Sequence, residues 1–259
     1  MTKNIYIYWF LSLTSFVFNS CTDDLDDNVK YLKTVVETSE SGTAKTTIFS
    51  YRGTQLSSID DAASLKEFVY TSGHITAITT TNKKNSSKAT VSYTYELGKL
   101  NTVTLPSDYL IKYTHNADGT ISYDKFDISV LNVETKIHHG ILFFNKGNVI
   151  KEERTLDNVE AGVISKYYVN YEYDYKTNPL HNVTGYDKLL DHEGIISSNN
   201  YLIKTEETSV ENNGQIISSA SFYKNNFKYD TGNYPVENNS LVSIPHKGIS
   251  YNLKTVYNY

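Results

Sequence analysis

Apolar and polar residues alternate with period two along most of the chain. The clearest run is Lys166 to Tyr175, where Tyr167, Val169, Tyr171, Tyr173 and Tyr175 share one face and Lys166, Tyr168, Asn170, Glu172 and Asp174 the other. Successive side chains of a β-strand point to opposite faces, so this pattern predicts a strand with one sheltered side. At roughly 3.3 Å per residue the run extends about 33 Å, which favours a tall sheet, and the expectation is that it sits centrally. Val91, Tyr93 and Tyr95 alternate with Thr90, Ser92 and Thr94, and Ile249, Tyr251, Leu253, Thr255, Tyr257 and Tyr259 carry the pattern to the last residue.

Beneath the alternation lies a repeated unit: an aromatic pair ends one strand, a polar turn with glycine follows, and an aliphatic residue opens the next. Copies are Phe49-Ser50-Tyr51 with Gly53, Phe68-Val69-Tyr70 with Gly73 and Ile75, and Tyr93-Thr94-Tyr95 with Gly98 and Leu100. Further copies centre on Ile111 to Ile121, Phe143 to Val149, Tyr171 to Val183, Asn212 to Ile216, and Phe227 to Tyr234. Glycine accepts the positive φ of tight hairpin turns, so each copy is a β-hairpin. Eight hairpins imply an all-β fold of roughly 14 to 18 strands, a single large antiparallel meander, curved or rolled into an open or closed barrel-like sheet. Ile75 and Ile78, like Leu100 and Val103, follow their glycines with a step of three, which demands either a bulge or burial on both faces. Helix is scarce: residues 185–194 around Leu189 and Leu190, and residues 57–67, could each hold a turn of one. With four prolines in all and no Pro- or Gly-rich linker after residue 30, one domain over residues 31–259 is the economical count.

Residues 1–20 read differently. Lys3 gives a positive start and Ile5 to Phe18 a mostly apolar stretch too short for a bilayer span, which takes about 20 residues. The single cysteine, Cys21, follows at once. This arrangement resembles the lipobox of bacterial lipoproteins, which implies cleavage before Cys21 and acylation of its sulfur. Phe18 and Asn19 stand where that signal prefers a branched aliphatic and a small residue, while Ser20 fits. Asp23, Asp24, Asp26 and Asp27 make residues 21–30 an acidic, self-repelling tether, and the cluster resembles the surface-export signal of some Gram-negative lipoproteins. The resemblance implies an outer-membrane, lipid-anchored protein, surface-exposed or otherwise facing the periplasm.

Composition narrows the chemistry. A net charge of −5 argues against a nucleic-acid partner, and one cysteine cannot form an internal disulfide. His138 and His139 are neighbours on a strand and face opposite ways, so they cannot share an ion on regular backbone. Asp191-His192-Glu193 is the next cluster, and Asn116-Ala117-Asp118-Gly119 reads as a hairpin turn because it lacks the ligand ladder of a calcium loop. No metal or cofactor is expected. Glu152-Glu153 and Glu206-Glu207 should also split between faces, and no nucleophile elbow occurs. What remains is tyrosine, 23 in all. Tyr167, Tyr171, Tyr173 and Tyr175 form either packed core or, if open to solvent, a face for a glycan or an envelope protein. The only tryptophan, Trp9, lies in the leader.

Tyr95-Glu96, Tyr173-Asp174 and Tyr229-Asp230 each close a strand, and the unit resembles a divergent tyrosine-aspartate (YD, Rhs-type) hairpin repeat. The lipobox, the Tyr-Glu-Tyr-Asp-x3-Asn-Pro pattern at 171–179 and Tyr-Asp-x3-Tyr-Pro at 229–235 resemble a family of uncharacterised Gram-negative lipoproteins of unknown function with a porin-like β fold. That resemblance implies a large curved antiparallel sheet and no activity. Three functions are therefore expected in turn: a non-catalytic binding or scaffold lipoprotein, an outer-membrane-inserted β-barrel, and a glycan-active enzyme. Tyr259 ends an alternating strand as in the assembly signal of membrane barrels, but mid-strand tyrosines such as Tyr171 do not suit a lipid-facing band.

Overall fold

The structure, a computed structural model, describes residues 29–130, 133–190 and 197–259. Sixteen strands follow one another: β1 (Thr34–Ser39), β2 (Ala44–Arg52), β3 (Gln55–Asp60), β4 (Ser64–Thr71), β5 (His74–Asn82), β6 (Lys88–Glu96), β7 (Lys99–Leu105) and β8 (Tyr109–His115). The second half holds β9 (Ile121–Asp127), β10 (Thr135–Asn145), β11 (Asn148–Leu156), β12 (Val163–Thr177), β13 (Asn199–Asn212), β14 (Gln215–Tyr229), β15 (Pro235–Ile244) and β16 (Ile249–Asn258). Each pairs antiparallel with its sequence neighbours, and β1 pairs with β16 from Thr34↔Asn258 to Ser39↔Leu253, closing the meander into a barrel. Closure leaves no edge, so β12 is flanked like every other strand rather than privileged as a centre.

The steps of three after the glycines are bulges. Tyr51 pairs with Leu56 but Phe49 with Ile59, Tyr70 with Ile75 but Phe68 with Ile78, and Tyr95 with Leu100 but Tyr93 with Val103, so one residue of each second strand is looped out. Both aliphatics then face inward together with the aromatic pair opposite. The turn Leu97-Gly98 has positive φ at both residues, the twist that matches a two-residue hairpin. Residues 57–67 contain no helix: β3 continues to Asp60 and β4 begins at Ser64.

A second regularity explains the tyrosines. The hydroxyls of Tyr95, Tyr173 and Tyr259 donate to the carbonyls of Ile75, Val149 and Pro235 at 2.8, 2.7 and 3.0 Å. Each acceptor is an early residue after the turn of the preceding bulged hairpin, beside the interruption in the ladder. Tyr51 reaches the carbonyl of Leu32 in the same manner, 2.8 Å away. The ring fills the barrel interior and the hydroxyl satisfies backbone, so one residue type serves both needs.

Sixteen strands about 4.8 Å apart give a girth of about 77 Å, roughly 24 Å across, too wide for strand side chains alone to fill. The connection between β12 and β13 closes one end. Thr184 N–H donates to Thr54 O at 3.0 Å, Ser198 N–H to Gly147 O at 3.2 Å, and Asn182 Nδ2 to Lys30 O at 3.0 Å, so the connection ties together two turns and the start of the barrel. Gly185, at φ +72°, sits where a Cβ would lie 2.6 Å from Gly73 O, which only glycine permits. Leu180 and Val183 enter one core cluster with Leu32 and Leu56, and Leu190 enters the other with Leu100, Tyr123, Leu142 and Tyr171. Tyr186–Lys188 forms a 3-10 turn within it, where a turn of helix was expected. The chain enters at this same end, and Lys30, counted in the tether, is docked there through a 2.6 Å ion pair with Asp230.

Candidate functional site

The opposite end of the barrel is open. Inward residues near the closed end, such as Leu56, Ile75 and Leu142, are fully buried, whereas inward residues at the far rim, Leu156, Val210, Ile217 and Tyr251, stay exposed. Between them lies a lumen of about 640 Å³.

Its walls differ. On the side of β3 to β8 it is mainly apolar, with Ile59, Ile78, Val91, Val103 and Ile111 set among Phe68, Tyr93, Tyr109 and Tyr113, and with Thr80 and Lys66 beside them. On the side of β11 to β14 it is polar. Glu152, 1% exposed, accepts from Arg154 Nη2 at 2.7 Å, from Arg154 Nε at 3.1 Å and from the Tyr123 hydroxyl. Arg154 also stacks on the Tyr167 ring, 4.8 Å from its centroid. Burial pulls the Arg154 guanidinium down, but the Glu152 carboxylate and Tyr123 outweigh it and hold the group above its ordinary range. Glu206 pairs with Lys204 at 2.8 Å and accepts from Tyr223 Oη at 3.1 Å, and Lys204 lies 4.0 Å from the Tyr223 ring centroid. Burial, reinforced by the Glu206 charge, pushes the Tyr223 phenol up to about 12.

Glu152 and Glu206 both lie opposite Val169 of β12, one on each side, so their Cα atoms are about 10 Å apart across two strand spacings. Each is ion-paired with its own cation, Glu152 with Arg154 and Glu206 with Lys204. Two further lysines reach the lumen, Lys66 of β4 and Lys125 of β9. Lys125 Nζ sits 4.6 Å from the Tyr109 ring centroid. Among the described residues neither lysine has a carboxylate partner, and the carboxylates lining the lumen are already engaged.

The sequence-selected residues fall as follows. Tyr167, Tyr171 and Tyr173 point into the barrel, where Tyr171 is 6% exposed and Tyr173 is half-buried with its hydroxyl on Val149 O. Burial raises the Tyr171 phenol well above its usual range and pushes that of Tyr173 to about 12. The three therefore form floor and core, and Tyr167 and Tyr171 also line the lumen. Tyr175 does not share their face and is 93% exposed, because the register shifts between Tyr173 and Thr177, where Asp174 Oδ1 accepts from Lys176 N–H and Asn200 N–H. Glu153 and Glu207 face outward, as alternation required. His138 faces inward, and His139 faces outward to Asp157 at 2.9 Å. Asp118 accepts from Thr120 N–H and Oγ1 within its turn. No group of three or more metal-ligating side chains occurs among the described residues. Cys21, Asp23, Asp24, Asp26, Asp27 and the 191–193 cluster lie outside the described residues.

The lumen lysines were not selected from sequence, although a signal existed. Lys66 shares the parity of Phe68 and Tyr70, and Lys125 that of Ile121 and Tyr123.

No family model matches the chain, and no curated protein does. Among solved structures, a porin-like protein from Bacteroides uniformis aligns over 87% of this chain and 95% of its own, at 11% identity and a TM-score of 0.49. A likeness at that level carries no functional inference.

Proposed function

We propose that the protein is a lipid-anchored, non-catalytic binding lipoprotein of the bacterial cell envelope, standing in water with its lumen as the ligand site. The observation that carries this reading is the polarity of the two barrel faces. Outward positions along the strands hold ion pairs, Lys151–Glu153 at 2.5 Å and Lys254–Glu237 at 2.9 Å in mid-strand, Lys136–Asp124 at 2.7 Å and Lys228–Glu237 at 2.8 Å nearer the strand ends, and hydroxyl pairs such as Thr79–Thr90 and Thr94–Thr102. A lysine on the lipid face of a membrane barrel costs about 2–4 kcal/mol at the midplane, so a belt of them disfavours insertion. Outward aliphatics such as Ile48, Val69 and Leu241 are scattered among these groups and form no continuous band.

Anchoring rests on the Cys21 signal and agrees with the barrel's polarity along its axis. The eight steps from Cys21 to Val29 reach at most about 28 Å, which keeps the closed end towards the membrane and the open end away from it. The acidic cluster supports the outer membrane and its outer leaflet. Replacing Cys21 by serine should leave uncleaved precursor or a product released from membranes. A Cys21→Ser protein that still fractionates with outer membranes at the same mature mass sinks the anchor. Catalysis by Glu152 and Glu206 has no support in their geometry, since both are ion-paired.

A further inference from the structure

We infer that the lumen takes an anionic amphiphile, its single apolar chain against the aliphatic wall and its charged head between Lys66 and Lys125; the inference rests on the lumen being a ligand site.

Three observations meet here. The space, about 640 Å³, is in the range of small-ligand sites. The aliphatic side chains of one wall, Ile59, Ile78, Val91, Val103 and Ile111, set among the rings of Phe68, Tyr93 and Tyr109, give a chain of methylenes an apolar surface to lie against. The polar wall is self-neutralised, because Arg154 holds Glu152 and Lys204 holds Glu206. Lys66 and Lys125 remain, two positive charges facing a partly apolar space inside a chain whose net charge is −5. Lys125 lies over the face of Tyr109 and stands across the strand from His138. A cation beside low-dielectric walls attracts an anion more strongly than the same cation on a wet surface. A neutral glycan would leave both charges unanswered, and an amphiphile with a cationic head would be repelled.

The test uses residues 21–259 carrying Cys21→Ser, which have neither the apolar leader nor acyl groups of their own to occupy the lumen. Fluorescence titration compares a fluorescent long-chain fatty acid, its methyl ester and an alkyl-trimethylammonium of equal length. The acid should bind at least about tenfold more tightly than the ester, and the trimethylammonium more weakly than both. Each methylene removed from the acid should cost about fourfold in affinity. Lys66→Gln with Lys125→Gln, circular dichroism unchanged, should abolish the preference of acid over ester. Equal affinity for acid and ester, or a preference that survives the double substitution, overturns the anionic head while leaving the lumen as a binding site. If no probe binds, the amphiphile falls, and labelling of Val91→Cys in the same protein then judges the lumen itself. Modification by a bulky water-soluble thiol reagent keeps the open lumen, and complete protection defeats that reading too.

Discussion

Arg154→Met should be among the most damaging single changes in the barrel wall, and its effect can be worked out from the contacts. Glu152 is 1% exposed, and its partners include Arg154, through two hydrogen bonds, and the Tyr123 hydroxyl. Removing the guanidinium takes the cationic partner from a buried carboxylate, a change that costs about 3–5 kcal/mol when one partner of a buried pair is deleted. Arg154 itself is 27% exposed on its side chain, so water can partly reach the gap and the lower half of that range is expected. The double variant Glu152→Gln, Arg154→Met removes both charges and should lose less than about 1.5 kcal/mol, a coupling that a double-mutant cycle in urea reads directly. The deficit of the single variant should also narrow as pH falls, because protonating Glu152 removes the charge that Arg154 had balanced. An Arg154→Met protein within about 0.5 kcal/mol of the parent at neutral pH would show that Glu152 is not committed to this pair, and the self-neutralised wall would go with it.

Gly140→Ala should destabilise by the upper part of about 1–3 kcal/mol, since the new Cβ would lie 2.5 Å from Tyr123 Oη and 2.6 Å from the backbone carbonyl of Glu153; an unchanged denaturant midpoint would contradict the packing of Tyr123 over the strand. Tyr95→Phe should cost about 1–2 kcal/mol by orphaning the Ile75 carbonyl, whereas Tyr175→Phe at an exposed site should stay within about 0.5 kcal/mol, and equal effects would refute the structural role of the inward hydroxyls. Burial pushes Tyr95, Tyr173 and Tyr223 up to about 12, so the folded state favours the neutral phenol. That stabilisation is complete below the ordinary phenol value of about 10 and is lost as pH climbs through about 12. Phenolate absorbance should therefore rise in two phases, the second coinciding with alkaline unfolding, and a single phase near 10 would argue against a sheltered interior.

How far the sequence speaks is set by the range of the interactions involved. Hairpins are local, so Leu97-Gly98, the aromatic pairs and the alternation of β12 announce themselves over a few residues, and the steps of three at Ile75 and Leu100 already point to bulges. The same step between Leu56 and Ile59 imitates the i, i+3 spacing of a helix, which is why residues 57–67 admitted one. Closure is different: Thr34 pairs with Asn258 across the whole chain, and nothing within either strand distinguishes a rolled sheet from an open one. The end cap was partly visible as a turn around Leu189, but its docking through Asn182, Thr184 and Gly185 onto three distant segments was not. Tyr175 kept perfect period two in sequence and still left the inner face, because Asp174 takes two backbone N–H groups and turns the strand. Alternation also tells which residues share a face without telling which face is inside, so Lys66 and Lys125 could be grouped with Phe68 and Tyr123 but not assigned to a lumen.

The most direct test of a barrel that stands in water around an open lumen is its behaviour without detergent. Residues 21–259 carrying Cys21→Ser, free of the apolar leader, are followed by sedimentation in plain buffer and in the presence of lipid vesicles. The expected result is a soluble, monodisperse protein that does not float with vesicles and whose gel mobility without prior heating matches no inserted, heat-modifiable form. Aggregation that only detergent reverses, together with flotation on vesicles and a heat-modifiable band, would mean that the outer face meets lipid and that the account has the barrel in the wrong solvent.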